Sequence, residues 1–152
     1  MGAIEDLAAC VGSWQGINRL HDPNTGRPED SDCTASMHAV LGGLFLRFDY
    51  RWAYQGKPQE GSLLIGRQTR VGNVRACWID TWHMGDQFML LGGGEVGGKL
   101  SVVGTYPAPP GPDWGWRIEL QPEGDRRLHL TMMNITPDGE EQPAVATTLD
   151  RR

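Results

Sequence analysis

The strongest constraint on the fold is a side-chain alternation that runs without a break from Leu44 to Tyr54. Arg47, Asp49 and Arg51 fall on one parity of this segment. The other parity carries only large apolar or aromatic side chains, which are Leu44, Leu46, Phe48, Tyr50, Trp52 and Tyr54. Because successive side chains of a β-strand point to opposite faces of the sheet, this pattern predicts a strand with a buried aromatic face and a solvated charged face.

Further segments show the same period and are separated by turn residues. Gly (21 residues) and Pro (10 residues) fall at regular intervals between them, as expected for short strands joined by turns. Leu41-Gly42-Gly43-Leu44 predicts a tight hairpin, and a short helix is predicted from Ala3 to Cys10. The predicted strands are Gly12–Leu20, Cys33–Leu41, Leu44–Tyr54, Gly61–Thr69, Val74–Met84, Gln87–Leu91, Lys99–Tyr106, Trp114–Gln121, Arg127–Thr136 and Ala144–Leu149.

Successive hairpins of this kind form a meander, and closing a meander into a barrel removes its exposed edges. The sequence therefore predicts an all-β fold, a single antiparallel up-and-down barrel of about ten strands with a short N-terminal helix. The length of 152 residues suits one domain over residues 1–152.

Composition narrows the function classes. The net charge of −5 argues against a nucleic-acid partner, and no apolar run approaches the length needed to cross a membrane. The three cysteines, Cys10, Cys33 and Cys77, form no CxxC pair, so we expect reduced thiols in a cytoplasmic protein. The four histidines form no HxH or HxxxH pair, so neither a metal nor a cofactor is expected.

The predicted interior is rich in aromatic side chains. In the strand predicted over Val74–Met84, the two tryptophans favour their own face as the inner one, which brings Asp80 inside and leaves His83 outside. An aromatic lining with a few polar groups is the usual composition of a small-molecule site. The same rings would also fill a barrel of this size, so both interpretations stay open. The candidate ligand-binding residues are Tyr50, Trp52, Trp78, Asp80, Trp82, Trp116, Met132 and His38, with Asn134 as a further polar point.

Asp80 is the acid with the clearest chemical interest. A carboxylate between two tryptophans is costly to bury unless it is hydrogen-bonded. It either acts on a ligand, together with His38 or Tyr50, or serves as a structural carboxylate, which is the favoured interpretation. No Gly-x-Ser-x-Gly motif marks a nucleophile. The glycine-rich segment Gly92–Gly98 is predicted to be a flexible hairpin loop that gates the barrel mouth.

Several motifs resemble a known family. The segment Val11-Gly12-Ser13-Trp14-Gln15-Gly16, directly after a short helix, resembles the opening of calycin-type barrels, in which Gly-x-Trp begins the first strand. Together the motifs resemble the uncharacterised bacterial family DUF1579 of lipocalin-like barrels over nearly the whole chain. This resemblance implies the barrel fold and no assigned activity. The further motifs, in order, are Val40-Leu41-Gly42-Gly43-Leu44-Phe45-Leu46, Gly56-Lys57-Pro58-Gln59-Glu60-Gly61, Leu64-Ile65-Gly66 and Cys77-Trp78-Ile79-Asp80-Thr81.

Gly12, Trp14 and Gly16 also resemble the opening of the nitrobindin-like haem barrels. That family binds the haem iron through a histidine near the C-terminus. The last predicted strand here, Ala144–Leu149, contains none, and the late His129 is predicted to point outward. Haem binding is therefore a lesser alternative.

The leading hypothesis is a non-enzymatic barrel that binds a small apolar or aromatic ligand. The first alternative is an enzyme that uses Asp80 with His38 or Tyr50 on a bound small molecule. The second is an oligomeric scaffold, in which outward apolar residues such as Phe45, Ile79 and Met133 form one patch.

Overall fold

The computed structural model describes residues 2–68 and 70–152, which form one short helix and ten strands. The elements are α1 (Ala3–Ala8), β1 (Gly12–Asp22), β2 (Arg27–Val40), β3 (Phe45–Tyr54), β4 (Lys57–Gln68), β5 (Asn73–Asp80), β6 (Met89–Val96), β7 (Lys99–Tyr106), β8 (Trp114–Glu123), β9 (Arg127–Ile135) and β10 (Glu141–Arg151). Among the described elements, no helix combines the length and the apolar character that a bilayer span requires.

The ten strands form one closed antiparallel barrel, as predicted. Each strand pairs with the next one along the chain, and β1 pairs with β10 to close the sheet. The closing ladder runs from Trp14 opposite Arg151 to Leu20 opposite Val145. Among the described strands, no edge is left open, which is the physical reason a long meander closes on itself.

Strand β3 shows the predicted alternation from Leu46 to Trp52. Leu46, Phe48, Tyr50 and Trp52 are buried, whereas the arginines between them are exposed. Leu44 was predicted to face inward, and this is wrong. It lies in the turn before β3 and is 72% exposed, because a residue outside the strand does not follow the strand's parity.

One end of the barrel is closed by the N-terminal segment. Helix α1 contacts β7 and β8, and its backbone binds Glu95 at the end of β6. Leu7 on the inner side of α1 is fully buried, as are Cys10 and Trp14 in the segment that follows it. The guanidinium of Arg151 lies 4.7 Å from the centre of the Trp14 ring. We call this the closed end. The opposite end, which carries the β1–β2, β3–β4, β5–β6, β7–β8 and β9–β10 connections, is called the open end.

The half of the interior next to α1 is packed mainly with aliphatic side chains, together with Phe48 and Trp14. Each of them is buried to within a few per cent of full coverage, so this half is an ordinary hydrophobic core. Its members include Phe48, Leu63, Leu91, Leu100, Ile118, Leu120, Leu128 and Leu149.

The glycine-rich segment does not form the predicted gating loop. Gly92, Gly93 and Gly94 lie inside β6, and the β6–β7 turn contains only Gly97 and Gly98. This turn is at the closed end. A Cβ atom at Gly93 would overlap the carbonyl oxygen of Ser101, so glycine here allows β6 and β7 to approach closely.

Several other predicted boundaries differ from the structure, including the starts of β2 at Arg27 and of β4 at Lys57. Helix α1 ends at Ala8 rather than Cys10. Strand β5 ends at Asp80 rather than Met84, which changes the orientation of the residues that follow. The predicted strand end at Thr69 falls outside the described residues.

Candidate functional site

The open half of the barrel contains a cavity of about 560 Å³. It is bounded by β1, by strands β5 to β10 and by the loop between β5 and β6. A volume of this size is within the range of small-molecule sites in proteins. The lining residues are Leu20, His21, Pro23, Trp78, Trp82, His83, Met84, Gln87, Met89, Tyr106, Pro107, Trp116, Asn134, Gln142, Pro143 and Ala144.

Asp80 ends strand β5 and shapes the loop that follows it. Its Oδ1 accepts hydrogen bonds from the backbone N–H groups of Trp82 and His83, both at 2.8 Å. An aspartate that caps its own turn in this way reverses the chain within a few residues. Because of this turn, the side chains of Trp82 and His83 both point into the barrel, whereas in a continuing strand they would point to opposite faces.

The prediction that His83 faces outward is therefore wrong, because the strand ends three residues before it. The sequence does contain a signal for this turn. Asp80 is followed by Gly85, which has a φ of 63°, and by Asp86. Aspartate and glycine at such a spacing are typical of a turn rather than a strand.

A buried hydrogen-bond network joins Asp80 to the barrel wall. Tyr50 donates its hydroxyl proton to Asp80 Oδ2 at 2.6 Å, and Trp78 Nε1 donates to the Tyr50 hydroxyl at 3.0 Å. Burial, and then the Asp80 carboxylate, raises the pKa of Tyr50 well above its ordinary value. The phenol therefore stays protonated and keeps donating to the carboxylate.

Gly61 makes this network geometrically feasible. Tyr50, Gly61 and Asp80 lie side by side on β3, β4 and β5. A Cβ atom at Gly61 would overlap the phenol ring and hydroxyl of Tyr50. The missing side chain on β4 lets the tyrosine cross that strand and reach the carboxylate on β5.

Four tryptophans surround the His83 ring. The distances from its centre are 4.7 Å to Trp82, 5.3 Å to Trp116, 5.6 Å to Trp78 and 5.8 Å to Trp52. Among the described residues, neither ring nitrogen of His83 has a hydrogen-bond partner. Burial lowers the pKa of His83, which favours a neutral imidazole that can donate and accept.

Trp78 and Trp116 form a stacked pair at the side of the cavity. Their ring centres are 5.3 Å apart and their planes differ by 11°. Trp116 Nε1 is buried and has no hydrogen-bond partner in the described part of the chain. Such a donor costs free energy until it finds an acceptor. Across the cavity, Tyr106 donates its hydroxyl proton to Asn134 Oδ1.

The predicted site residues separate into three groups. Trp78, Trp82 and Trp116 line the cavity, as does Asn134, the further polar point. The others, apart from His38, are buried in the wall or core without lining it. These are Tyr50, Trp52, Asp80 and Met132.

His38 faces solvent, so its predicted place inside the barrel is wrong. Its neighbour Met37 takes the inward position of β2, and the alternation puts His38 outside. The His38 ring bonds the Ser36 hydroxyl at 2.9 Å and lies 3.6 Å from Asp49. The suggested catalytic pairing of Asp80 with His38 is therefore excluded by position.

The histidine considered for haem also lies outside. His129 Nε2 is 2.9 Å from Glu123 Oε2, and its Nδ1 faces the Thr148 hydroxyl. Its outward direction is as predicted. Strand β10, Glu141–Arg151, contains no histidine.

The outward apolar residues chosen for a scaffold role do not form one patch. Met133 is paired between Arg117 on β8 and Pro143 on β10. Phe45 on β3 lines a shallow outer groove with Leu64, Cys77 and Leu90. Ile79 on β5 lies outside this groove and lines a separate outer depression.

Comparison with known proteins agrees with this architecture. The profile of the family described as "Protein of unknown function (DUF1579)" matches residues 4–151. The chain belongs to this family. No curated protein matches this DUF1579 chain.

The fold of this DUF1579 chain is shared with a solved structure. It is similar to the crystal structure of Rv2717c from M. tuberculosis, with a TM-score of 0.66 and 17% sequence identity. The match covers 100% of this chain and 98% of that chain. At this identity, the likeness establishes a shared fold only.

Proposed function

We propose that the protein binds a small, largely apolar or aromatic molecule in the open half of the barrel, without transforming it. The observation that carries the proposal is the cavity of about 560 Å³ beside Trp78, Trp82 and Trp116. The interior of a folded protein is normally close-packed. A space of this size is therefore unusual for a core that serves only stability, and ligand binding accounts for it.

The chemistry of the lining supports binding. Leu20, Met84 and Met89 add apolar surface to the three tryptophans, and the amides of Asn134 and Gln142 add polar points. Pockets for small molecules combine a mainly apolar wall with a few such groups. Aromatic rings contribute a large binding surface and lose little side-chain entropy.

A catalytic role for Asp80 is less well supported. Its two oxygens accept three hydrogen bonds, from Tyr50 and from the backbone of Trp82 and His83. Asp80 does not line the cavity. A base engaged in this way has little capacity left for a substrate proton.

The test is a ligand screen with the whole chain, read by thermal shift and native mass spectrometry against lipids, flavins and other aromatic compounds. A cavity-filling variant, Ala144→Phe, identifies where each hit binds, because Ala144 lines the cavity. The matched control is Ala146→Phe, which makes the same change two residues along β10 at an exposed position.

Hits that raise the melting temperature of the wild type and of Ala146→Phe, and that lose binding in Ala144→Phe, support the proposal. Hits that bind Ala144→Phe as well as the wild type would place the ligand elsewhere and overturn it. A screen without any saturable hit would also count against it.

A further inference from the structure

We infer that the cavity selects uncharged, planar aromatic ligands with one hydrogen-bonding group, and that His83 pairs with this group. This inference rests on the proposed function, because it names the chemical class of the ligand for the same cavity. Three observations support it: the charge of the lining, the arrangement of the rings, and the unpaired nitrogens of His83.

The lining carries no formal charge of its own. Within residues 2–68 and 70–152, no Asp, Glu, Lys or Arg lines the cavity. The polar members are histidines, amides and one phenol, namely His21, His83, Gln87, Gln142, Asn134 and Tyr106. A charged ligand group buried among them would lose its hydration without gaining a partner of opposite charge.

Two buried carboxylates that adjoin the lining residues in sequence or space are already engaged. Asp80 accepts the three hydrogen bonds described above. Asp22 accepts from the Tyr54 hydroxyl at 2.8 Å and from the backbone N–H of Asn24 at 2.8 Å. Neither is among the lining residues, so neither is placed to neutralise a cationic ligand.

The ring arrangement favours a planar molecule over a compact cation. A cation binds over the exposed faces of aromatic rings, so it would need a space between the tryptophan rings that no other side chain fills. Here the His83 ring already occupies the centre of the four tryptophans, and Trp78 and Trp116 stack on each other. The remaining surface is a flat aromatic and thioether wall, which suits another ring.

His83 supplies the hydrogen-bonding partner. It lines the cavity, and its backbone is fixed by Asp80, so the ring is presented by an anchored loop. Its nitrogens are unpaired among the described residues, and a neutral imidazole both donates and accepts.

The experiment uses fluorescent probes that differ in one group. N-phenyl-1-naphthylamine is uncharged, and 8-anilinonaphthalene-1-sulfonate has the same rings plus a sulfonate. We expect the uncharged probe to bind about tenfold more tightly or better, because burying the sulfonate is costly. The cationic dye thioflavin T serves as a third probe and is expected to bind more weakly than the uncharged one.

The role of His83 is tested with a competitor that lacks the hydrogen-bonding group. In 1-benzylnaphthalene a CH₂ replaces the N–H of the uncharged probe. It should compete about fivefold more weakly than the amine in the wild type, since a net hydrogen bond has roughly this value. His83→Phe keeps an aromatic ring in the loop and should remove the difference between the two compounds.

A charge variant tests the selectivity independently of His83. Met84→Lys places a cation in the cavity lining and should raise the affinity of the sulfonate probe by about tenfold, with a much smaller change for the uncharged probe. Met133→Lys makes the same change on the outer face of β9 and should leave both affinities unchanged.

The outcomes separate the two proposals. If the three probes bind with equal affinity and all are blocked by Ala144→Phe, the cavity binds ligands and the inferred selectivity is wrong. The same conclusion follows if a charged probe binds best. If His83→Phe leaves the amine and its CH₂ analogue unequal, the pairing with His83 is wrong. If no probe is blocked by Ala144→Phe, the proposed function itself fails.

Discussion

The two halves of the barrel are built from the same strands, yet one is packed and the other is hollow. At the closed end, leucines and Phe48 from all sides meet under α1. At the open end, the large side chains come mainly from β3, β8 and the end of β5, and they stack on one another. The opposite wall contributes smaller groups, such as Ala144 and Asn134.

This comparison shows that aromatic content and packing are separate properties. Four tryptophans and His83 occupy one side of the open half as a ring cluster, with centre-to-centre distances of 4.7 to 5.8 Å. Because they contact each other rather than the facing wall, space remains beside them. The leucines at the closed end do not stack on one another as these rings do, and they pack against side chains from the facing strands.

The largest expected difference between the two halves is in how much a leucine-to-alanine substitution lowers the free energy of unfolding. Leu120 in the packed half and Leu20 in the cavity wall are both fully buried. Leu120→Ala should lower the free energy of unfolding by about 3–5 kcal/mol, because it opens a new void. Leu20→Ala should cost at least about 1 kcal/mol less, because it enlarges a space that already exists.

Urea unfolding of the two variants measures this difference directly. Leu64→Ala, on the outer face of β4, controls for the loss of a leucine from the sheet surface and should cost the least. Equal losses for Leu120→Ala and Leu20→Ala would mean that the open half is packed as tightly as the closed half.

The next largest effect concerns the turn that shapes the hollow half. Asp80→Ala leaves the Tyr50 hydroxyl and two backbone N–H groups without their acceptor, and should cost about 2–4 kcal/mol. Asp49→Ala, which removes a half-exposed carboxylate from the outer face of β3, should cost much less. Chemical denaturation of both variants tests this, and similar values for the two would contradict a structural role for Asp80.

A smaller loss of stability is expected from a substitution at Gly61, the position on β4 that the Tyr50 side chain crosses. Gly61→Ala should destabilise the protein by about 1–3 kcal/mol, because the new methyl group overlaps the phenol. In a Tyr50→Leu background the same substitution should cost less, since the clashing ring is absent. A double-mutant cycle measures this coupling, and additive losses would show that the overlap is relieved elsewhere.

The smallest expected effect is a pH dependence confined to the hollow half. Burial lowers the pKa of His83 below its ordinary 6.5, and the Asp80 carboxylate opposes part of that shift. Between pH 6.5 and the lower folded value, the unfolded chain binds more protons than the folded one. The contribution of the neutral His83 side chain to the free energy of unfolding is therefore fully present above pH 6.5. This contribution decreases as the pH falls below 6.5.

His83→Phe should remove this part of the pH dependence, which is measured as the difference in unfolding free energy between the variant and the wild type from pH 7.5 to 5.5. His21 and Tyr106 line the same cavity and remain unchanged in both proteins. Glu5 and Asp30, whose pKa values lie below 4.5 and 3.8, titrate at more acidic pH. A difference that stays constant over this range would contradict a buried neutral His83.

Much of the barrel could be predicted from the sequence, because strand parity and turn residues are local signals. The number of strands, the antiparallel meander and the buried faces of Tyr50, Trp78 and Met132 all follow from them. The cavity could not be predicted in the same way. The alternation along a strand predicts which side chains point inward. It does not predict whether side chains from opposite walls contact each other or leave a space between them.

The errors have specific physical causes. A period of two continued past Asp80 predicts an outward His83, but the Asp80 side chain binds its own turn and ends the strand there. The prediction of an inward His38 is wrong because Met37 holds the inward position of β2. The glycines of Gly92–Gly98 predict a loop, but glycine also permits the close strand approach that is found there.

The arrangement of Tyr50, Gly61 and Asp80 in one row across three strands also has an evolutionary consequence. A mutation that adds a side chain at position 61 is tolerated only if position 50 loses its ring, and the loss of that ring leaves the acid at position 80 without its side-chain donor. We therefore expect the three positions to covary within the family, with glycine at 61 wherever an aromatic hydroxyl at 50 faces an acid at 80. Homologues with a larger residue at 61 should have substitutions at both of the other positions.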